Sequence, residues 1–142
     1  MQIGFTGTRH GMKRNQFATF MSEMTKVLQR EKRFKPRFHH GDCVGADAQA
    51  HSFVRKYTHV HIHPSNIDGC RAFCDGDDFW GPKAPLLRNR DIVDACSILF
   101  ATPKHNYEEI RSGTWATIRY ARKVGRHIII IFPDGSIKEE NK

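Results

Sequence analysis

Short apolar runs alternate with helix-spaced apolar stripes from residue 2 to residue 132, and no other feature restricts the fold of this chain as much. Gln2-Ile3-Gly4-Phe5-Thr6 reads as a buried strand. Phe17, Phe20, Met21, Met24, Val27 and Leu28 then follow at helical spacing. Arg37-Phe38-His39-His40 is a second strand, and Ala46, Ala50, Phe53, Val54 and Tyr57 form a second stripe. His59 to His63 alternates like a third strand and stops at Pro64. A helix over 86–95, a strand over 97–101, a helix over 114–124 and a strand over 127–132 complete the series, with Gly125 near the last helix's C′ position. Strands that alternate with helices build a parallel sheet covered on both faces. The expectation is one α/β domain over residues 1–142, with a five-stranded parallel sheet in the order 3-2-1-4-5 and helices on both faces. Residues 65–85 and 102–112 read as loops, and the residues after Pro133-Asp134-Gly135 as a charged tail.

Such a sheet binds ligands beyond the strand C-termini, where the strand order reverses, here between the first and fourth strands. Three small-residue turns follow strands: Thr6-Gly7-Thr8-Arg9, Gly41 to Asp47, and Ser112-Gly113-Thr114-Trp115. The third opens a helix, whose N-terminal N–H groups are unpaired and partly positive. Gly113 lets a ligand approach that backbone, so the turn suits a phosphate or another anion. The topology brings Gly7, Thr8 and Arg9 to the same place.

The charge agrees with an anionic partner. The formal net charge is +8, with nine further histidines. Most basic residues read as solvated, including the run from Arg30 to Arg37 at an exposed helix end. Arg9, Arg88 and Arg90 fall near the glycine turns, and arginine forks match phosphate oxygens. Basic residues spread over several elements do not form a single-strand stacking track, so nucleic acid is not the expected partner. Neither the dinucleotide fingerprint nor a Walker sequence is present. No apolar run has membrane-spanning length, and the basic start lacks a signal-peptide h-region. Four scattered cysteines read as reduced thiols. The expected location is the cytoplasm, of a bacterial cell or of an infected host cell if the chain is phage-encoded.

The ordered set Gly4-Phe5-Thr6-Gly7-Thr8-Arg9, Gly41-Asp42 with Gly45-Ala46-Asp47, Arg88-Asn89-Arg90-Asp91-Ile92-Val93, and Ser112-Gly113-Thr114-Trp115 resembles the SLOG superfamily. The likeness is to its small YpsA-type branch, and it covers nearly the whole chain. The superfamily includes the LOG phosphoribohydrolases, DNA-processing protein A and SLOG domains that sense nucleotide signals. The resemblance implies a Rossmann-like fold that binds a nucleotide or nucleotide derivative, and a homodimer or higher homo-oligomer. It also matches Arg88 to the family's catalytic arginine. The LOG signature P-G-G-x-G-T-x-E-E is broken here: Glu109-Ile110-Arg111-Ser112 precede Gly113, and the glutamates fall at Ala116 and Thr117. Glycosidic cleavage needs a group that activates water or stabilises an oxocarbenium-like transition state.

The expectation is a binder of a small nucleotide-derived ligand, such as an ADP-ribose derivative or a cyclic nucleotide signal. It senses or sequesters that ligand without cleaving it, and one form of this is a phage sponge against a defence signal. Nucleotide N-glycosidase and nucleic-acid binder are the alternatives. The ligand-binding set is Gly7, Thr8, Arg9, Gly41, Asp42, Arg88, Asn89, Arg90, Ser112, Gly113, Thr114 and Trp115, with no catalytic residue, metal or cofactor expected. Asp47 reads as a cap of the second helix, and Asp42 as either a turn-orienting residue or a catalytic or magnesium-binding one. Trp115 packs in the core by default, with base stacking as the alternative. His59, His61 and His63 share one strand face near Cys70 and Cys74, a conceivable zinc set whose spacing is unlike the usual ones. Phe73, Phe79 and Trp80 sit in the long loop as either a lid or an interface.

Overall fold

Ile3 and Phe5 point to one side of β1 (Gln2–Gly7) and Gly4 to the other, and all three are buried. Only a central strand needs both faces apolar. A computed structural model describes residues 1–30 and 32–142; Glu31, in the basic run expected at the helix end, lies outside the described residues. α1 (Arg14–Arg30) leads to β2 (Arg37–His40), α2 (Ala46–Val54) and β3 (His59–Ile62). A 3-10 turn (Asp68–Cys70) and β4 (Asp78–Phe79) follow, then α3 (Pro85–Ala95), β5 (Ile98–Thr102), α4 (Gly113–Lys123), β6 (His127–Ile131) and β7 (Ile137–Glu140).

The sheet order is β4-β3-β2-β1-β5-β6-β7. The five strands expected from sequence stand in their expected order, all parallel, and the fold is Rossmann-like. The sheet has seven strands rather than five, because each edge gains one. β4 adds two residues in parallel to β3, and β7 returns antiparallel on β6. Neither carries an apolar run. β7 comes from the expected charged tail: Gly135, at φ +89°, closes a turn in which Ser136 N–H donates to Asp134 Oδ1 at 2.9 Å. Its acidic side chains then pair sideways, Glu140 with Arg122 at 2.7 Å and Glu139 with His127 at 2.7 Å. Charge on an edge strand blocks further strand addition.

Alternation along β5 and β6 divides the core. Ile98, Phe100, Ile129 and Ile131 face α1 and α2, where Phe20 packs edge-on to Phe5 and Phe100. Leu99, Ala101, Ile128 and Ile130 face α3 and α4. A Cβ on Gly4 would lie 2.8 Å from Cys96 Sγ, so glycine there lets the end of α3 close on β1. On β2 and β3 the second face is a histidine layer. His39 stacks on His61 at 4.4 Å between ring centres, and the Trp80 ring lies 4.2 Å from His63. Among the described residues no helix is long and apolar enough to cross a membrane.

Candidate functional site

A cleft of about 590 Å³ opens at the C-terminal ends of β1 and β2, against the start of α3 and of α4. This is the switch point of the sheet, as the topology requires. Of the residues expected in the site, Gly7, Thr8, Arg9, Gly41, Arg88, Asn89, Ser112, Gly113 and Thr114 line it. The first loop is fixed from both sides. Thr8 N–H donates to Thr102 O at 3.0 Å, and Thr8 O accepts from Ala46 N–H at 3.0 Å. Gly45 makes this crossing possible: its φ is +89°, and a Cβ would press into the backbone of Thr8 and Arg9. Gly45→Ala is therefore expected to lower stability by about 1–3 kcal/mol, seen as an earlier urea midpoint with unchanged slope. An unaltered midpoint would show that the two loops separate freely.

The third turn holds a capped helix start. Ser112 Oγ accepts from Trp115 N–H at 3.2 Å, so this hydroxyl serves the N-cap. Gly113 and Ala116 reach the cleft from the same turn, and a Cβ on Gly113 would meet no atom within 4 Å. Four cationic side chains line the cleft, Arg9, Arg88, Lys104 and Arg111, against two carboxyls, Asp47 and Glu109. Among the described residues Arg9, Lys104 and Arg111 take part in no ion pair. Pro85, Leu86 and Ile110 add an apolar rim, and Ile110 is 89% exposed.

Three expected residues stand elsewhere. Asp42 is fully buried with φ +59°, and its carboxylate turns to the long loop, meeting Arg71 Nε at 3.0 Å and Cys74 N–H at 2.8 Å. It anchors residues 71–74 and does not line the cleft. Arg90 is two positions beyond Arg88, so the helix turns it to another face, where its guanidinium sits 5.3 Å from the Tyr120 ring centre. Trp115 is 3% exposed and packs with Ile118 and Ile130, which bears out its core reading.

Asp47 and Asp42 differ from their expected parts. Gly45 occupies the N-cap of α2 without a side-chain cap. Asp47 Oδ2 instead accepts from Gly41 N–H and Cys43 N–H, both at 3.1 Å, and so shapes the turn. Burial pushes its carboxyl up to about 6, with the two backbone N–H groups and Arg88 acting against that rise. Asp47, Lys104, Glu109 and Arg111 are the acidic and basic cleft residues absent from the expected set. Glu109 and Arg111 lie just before the glycine turn, the one signal available for them, and Lys104 lies just after β5. Cys43 also lines the cleft, but burial pushes its thiol up to about 11, so it carries no thiolate at neutral pH.

Arg88 is buried and most of its donors are used by the protein, Nη2 reaching Cys43 Sγ at 3.1 Å. Nη1 donates to Gly41 O at 2.6 Å and to His63 O at 3.0 Å, and Nε to Asn89 Oδ1 at 2.6 Å. A Cβ on Gly41 would lie 2.6 Å from Nη1, so glycine there admits the guanidinium.

Two histidine groups have ligand atoms close enough for a metal, and each meets a chemical obstacle. In His40, His51 and Cys74, Asp42 N–H donates to His40 Nδ1 at 2.9 Å. His40 Nε2 is therefore the protonated nitrogen, turned to His51 Nδ1 at 3.0 Å, and has no lone pair for a cation. In His59, His61 and Asp78, Trp80 Nε1–H likewise donates to His61 Nδ1 at 3.2 Å, and Arg37 crowds Nε2 at 3.3 Å. Phe73, Phe79 and Trp80 do not line the cleft; Arg71 stacks 4.6 Å over the exposed Phe73 ring.

No protein-family model matches the chain, and no curated protein matches it in sequence. Among solved structures it is similar to the X-ray structure of TM1055, a Northeast Structural Genomics Consortium target. The TM-score is 0.61 over 89% of this chain and 71% of that one, at 12% identity, a likeness of fold alone.

Proposed function

We propose that the chain belongs with the SLOG-type nucleotide binders and captures a small nucleotide-derived ligand, such as an ADP-ribose derivative or a cyclic nucleotide signal, without cleaving it. One observation carries this reading. The first turn of α4, where Ser112 caps Trp115 N–H and leaves the N–H groups of Gly113 and Thr114 without it, faces a cleft that also receives Arg9, Lys104 and Arg111. Backbone N–H groups, a helix dipole and unpaired cations together suit a phosphate. The apolar rim of Leu86 and Ile110 suits the face of a base.

Retention without cleavage rests on the next helical turn. The LOG glutamates correspond to Ala116 and Thr117. Ala116 supplies a methyl group to the cleft, and Thr117 Oγ1 donates back to Gly113 O at 2.9 Å. Neither activates water or steadies charge on a ribose. Glycosidase activity is the second reading, favoured by the two cleft carboxyls, Glu109 and Asp47, the latter with a raised pKa that leaves it closer to neutral pH than an ordinary carboxylate.

Gly113→Val tests the reading. The extra methyls enter open space, so the variant is expected to melt as the parent does while losing calorimetric binding of nucleotides. Ligand at a hundredfold excess over Kd should add about 2.7 kcal/mol to the parent and nothing to the variant. Equal affinity in both proteins removes this turn from the site. Overnight incubation with nucleoside monophosphates and ADP-ribose isomers, then chromatography, should return them intact; enzyme-dependent free base would establish the glycosidase instead.

A further inference from the structure

Asp47 is an unusual wall for an anion site. It is 4% exposed and lines the cleft at the first turn of α2. Oδ2 takes both of the carboxyl's hydrogen bonds among the described residues, from Gly41 and Cys43. Among the described residues no ion pair joins Asp47 to a cation, Arg88 Nη1 donating instead to the carbonyls of Gly41 and His63. Oδ1 is thus an acceptor held in place with no donor among the described residues. A fixed acceptor that the protein leaves unpaired and does not seal off from the cleft is a recognition element.

The cleft is therefore polarised. Lys104, Arg111 and the start of α4 attract negative charge, as do Arg9 and Arg88, whereas the Asp47 carboxylate repels it where its own oxygen reaches the cleft. A bound phosphate settles at the α4 end, and what reaches Asp47 is neutral and donates a hydrogen bond. A sugar hydroxyl fits that description; a second phosphate does not. Given the nucleotide-binding reading above, on which this rests, we propose that Asp47 is the specificity-determining acceptor of the cleft, taking a hydrogen bond from a ribose hydroxyl. The site thereby selects phosphorylated ligands with a free sugar diol over bare phosphate and over deoxygenated analogues. A site built to accept from a hydroxyl rejects the analogue that lacks it.

Asp47→Asn is the informative variant. The asparagine carbonyl can accept from Gly41 and Cys43, which turns its NH2 toward the cleft and replaces the acceptor by a donor. The probes are adenosine 5′-monophosphate, its 2′,3′-dideoxy analogue and inorganic phosphate, titrated calorimetrically into the whole chain. The parent should bind the monophosphate at least tenfold more tightly than the dideoxy analogue. Asp47→Asn should reduce that ratio to threefold or less, with affinity for inorganic phosphate equal or higher because a negative charge is gone. Melting curves with and without phosphate verify that the variant is folded, and Asp47→Glu serves in its place if it is not. There the longer carboxylate is misplaced, and the same loss of discrimination is expected. Equal binding of monophosphate and dideoxy analogue by the parent, or discrimination surviving in the variants, overturns the role of Asp47 and leaves nucleotide binding standing. Binding of none of the three probes overturns both.

Discussion

Acidification below pH 6.5 is expected to unfold this protein steeply, with stability level above pH 7 and falling by about 2–4 kcal/mol per pH unit between pH 6 and 4. The cause is a set of histidines folded as neutral rings. Burial, with neighbouring histidines and Arg37 adding to it, holds His39 at about 3, and burial likewise holds His63 at about 3. His40, fully buried beside His51, is held well below its ordinary value. The hydrogen bonds demand the same state. His40 Nδ1 already accepts the Asp42 N–H at 2.9 Å, and His39 Nδ1 accepts from His63 Nε2 at 2.8 Å while its Nε2 donates to Gln2 Oε1 at 2.6 Å. A proton added to either ring would set N–H against N–H. The unfolded chain has no such restriction and takes up these protons near pH 6.5.

The sign follows from linkage. A depressed folded pKa gives stability that is present above the unfolded value and lost as pH falls toward the folded one. Three silent histidines correspond to about 4 kcal/mol per pH unit. Asp47 opposes this: its raised pKa makes the folded state take up a proton between about pH 6 and pH 4, which offsets roughly one histidine. The exposed carboxylates with lowered values, such as Asp78 and Glu139, act only at still lower pH. Urea titrations from pH 8 to pH 4 measure the slope directly. A slope below one proton per molecule would mean that these rings charge in the folded state and that the histidine layer opens.

The fold was largely legible because β1, β5 and β6 are apolar on both faces and β2 and β3 alternate, with Gly7 and Gly41 at strand ends and Gly113 at a helix start. The edges were not, since β4 and β7 are recruited by main-chain hydrogen bonds and side-chain ion pairs rather than by an apolar pattern. Within the site, position along the chain identified the turns but not the direction of their side chains. The positive φ of Asp42 sends its carboxylate to the long loop and leaves Asp47 to hold the turn, a reversal that no spacing encodes. Arg90 was grouped with Arg88 by proximity in sequence, although residues two apart on a helix face different ways. Lys104 and Arg111 have no periodicity to mark them, being in a loop. The alternating histidines were visible, but their partner His39 becomes apparent only once β2 and β3 are in register.

Arg88→Ala should be the most damaging single substitution near the cleft, and its first effect should be on stability rather than on affinity. The sequence reading gave this residue a phosphate; the structure gives its guanidinium two carbonyls and the Asn89 side chain. Truncation leaves Gly41 O and His63 O buried without donors and empties the space of a long side chain. Each unsatisfied carbonyl costs about 1–3 kcal/mol, which together with the cavity comes to roughly 3–5 kcal/mol. For a chain of this size that is a fall in Tm of roughly 10–20 °C. Arg88→Lys should recover little, because one ammonium on a flexible stem does not reproduce a planar fork set between two carbonyls and a side-chain amide. Lys32→Ala, at an exposed position, should leave both melting and binding unchanged. Affinity follows stability here for a geometric reason. Gly41 is held by Arg88 through its carbonyl and by Asp47 through its N–H, so losing the guanidinium frees the turn that carries Asp47 into the cleft. Titrations of Arg88→Ala well below its own Tm should thus show weaker nucleotide binding together with the lowered melting point. An Arg88→Ala protein that melts like the parent yet no longer binds would show that the guanidinium is directed at the ligand, and that the carbonyls of Gly41 and His63 do without it.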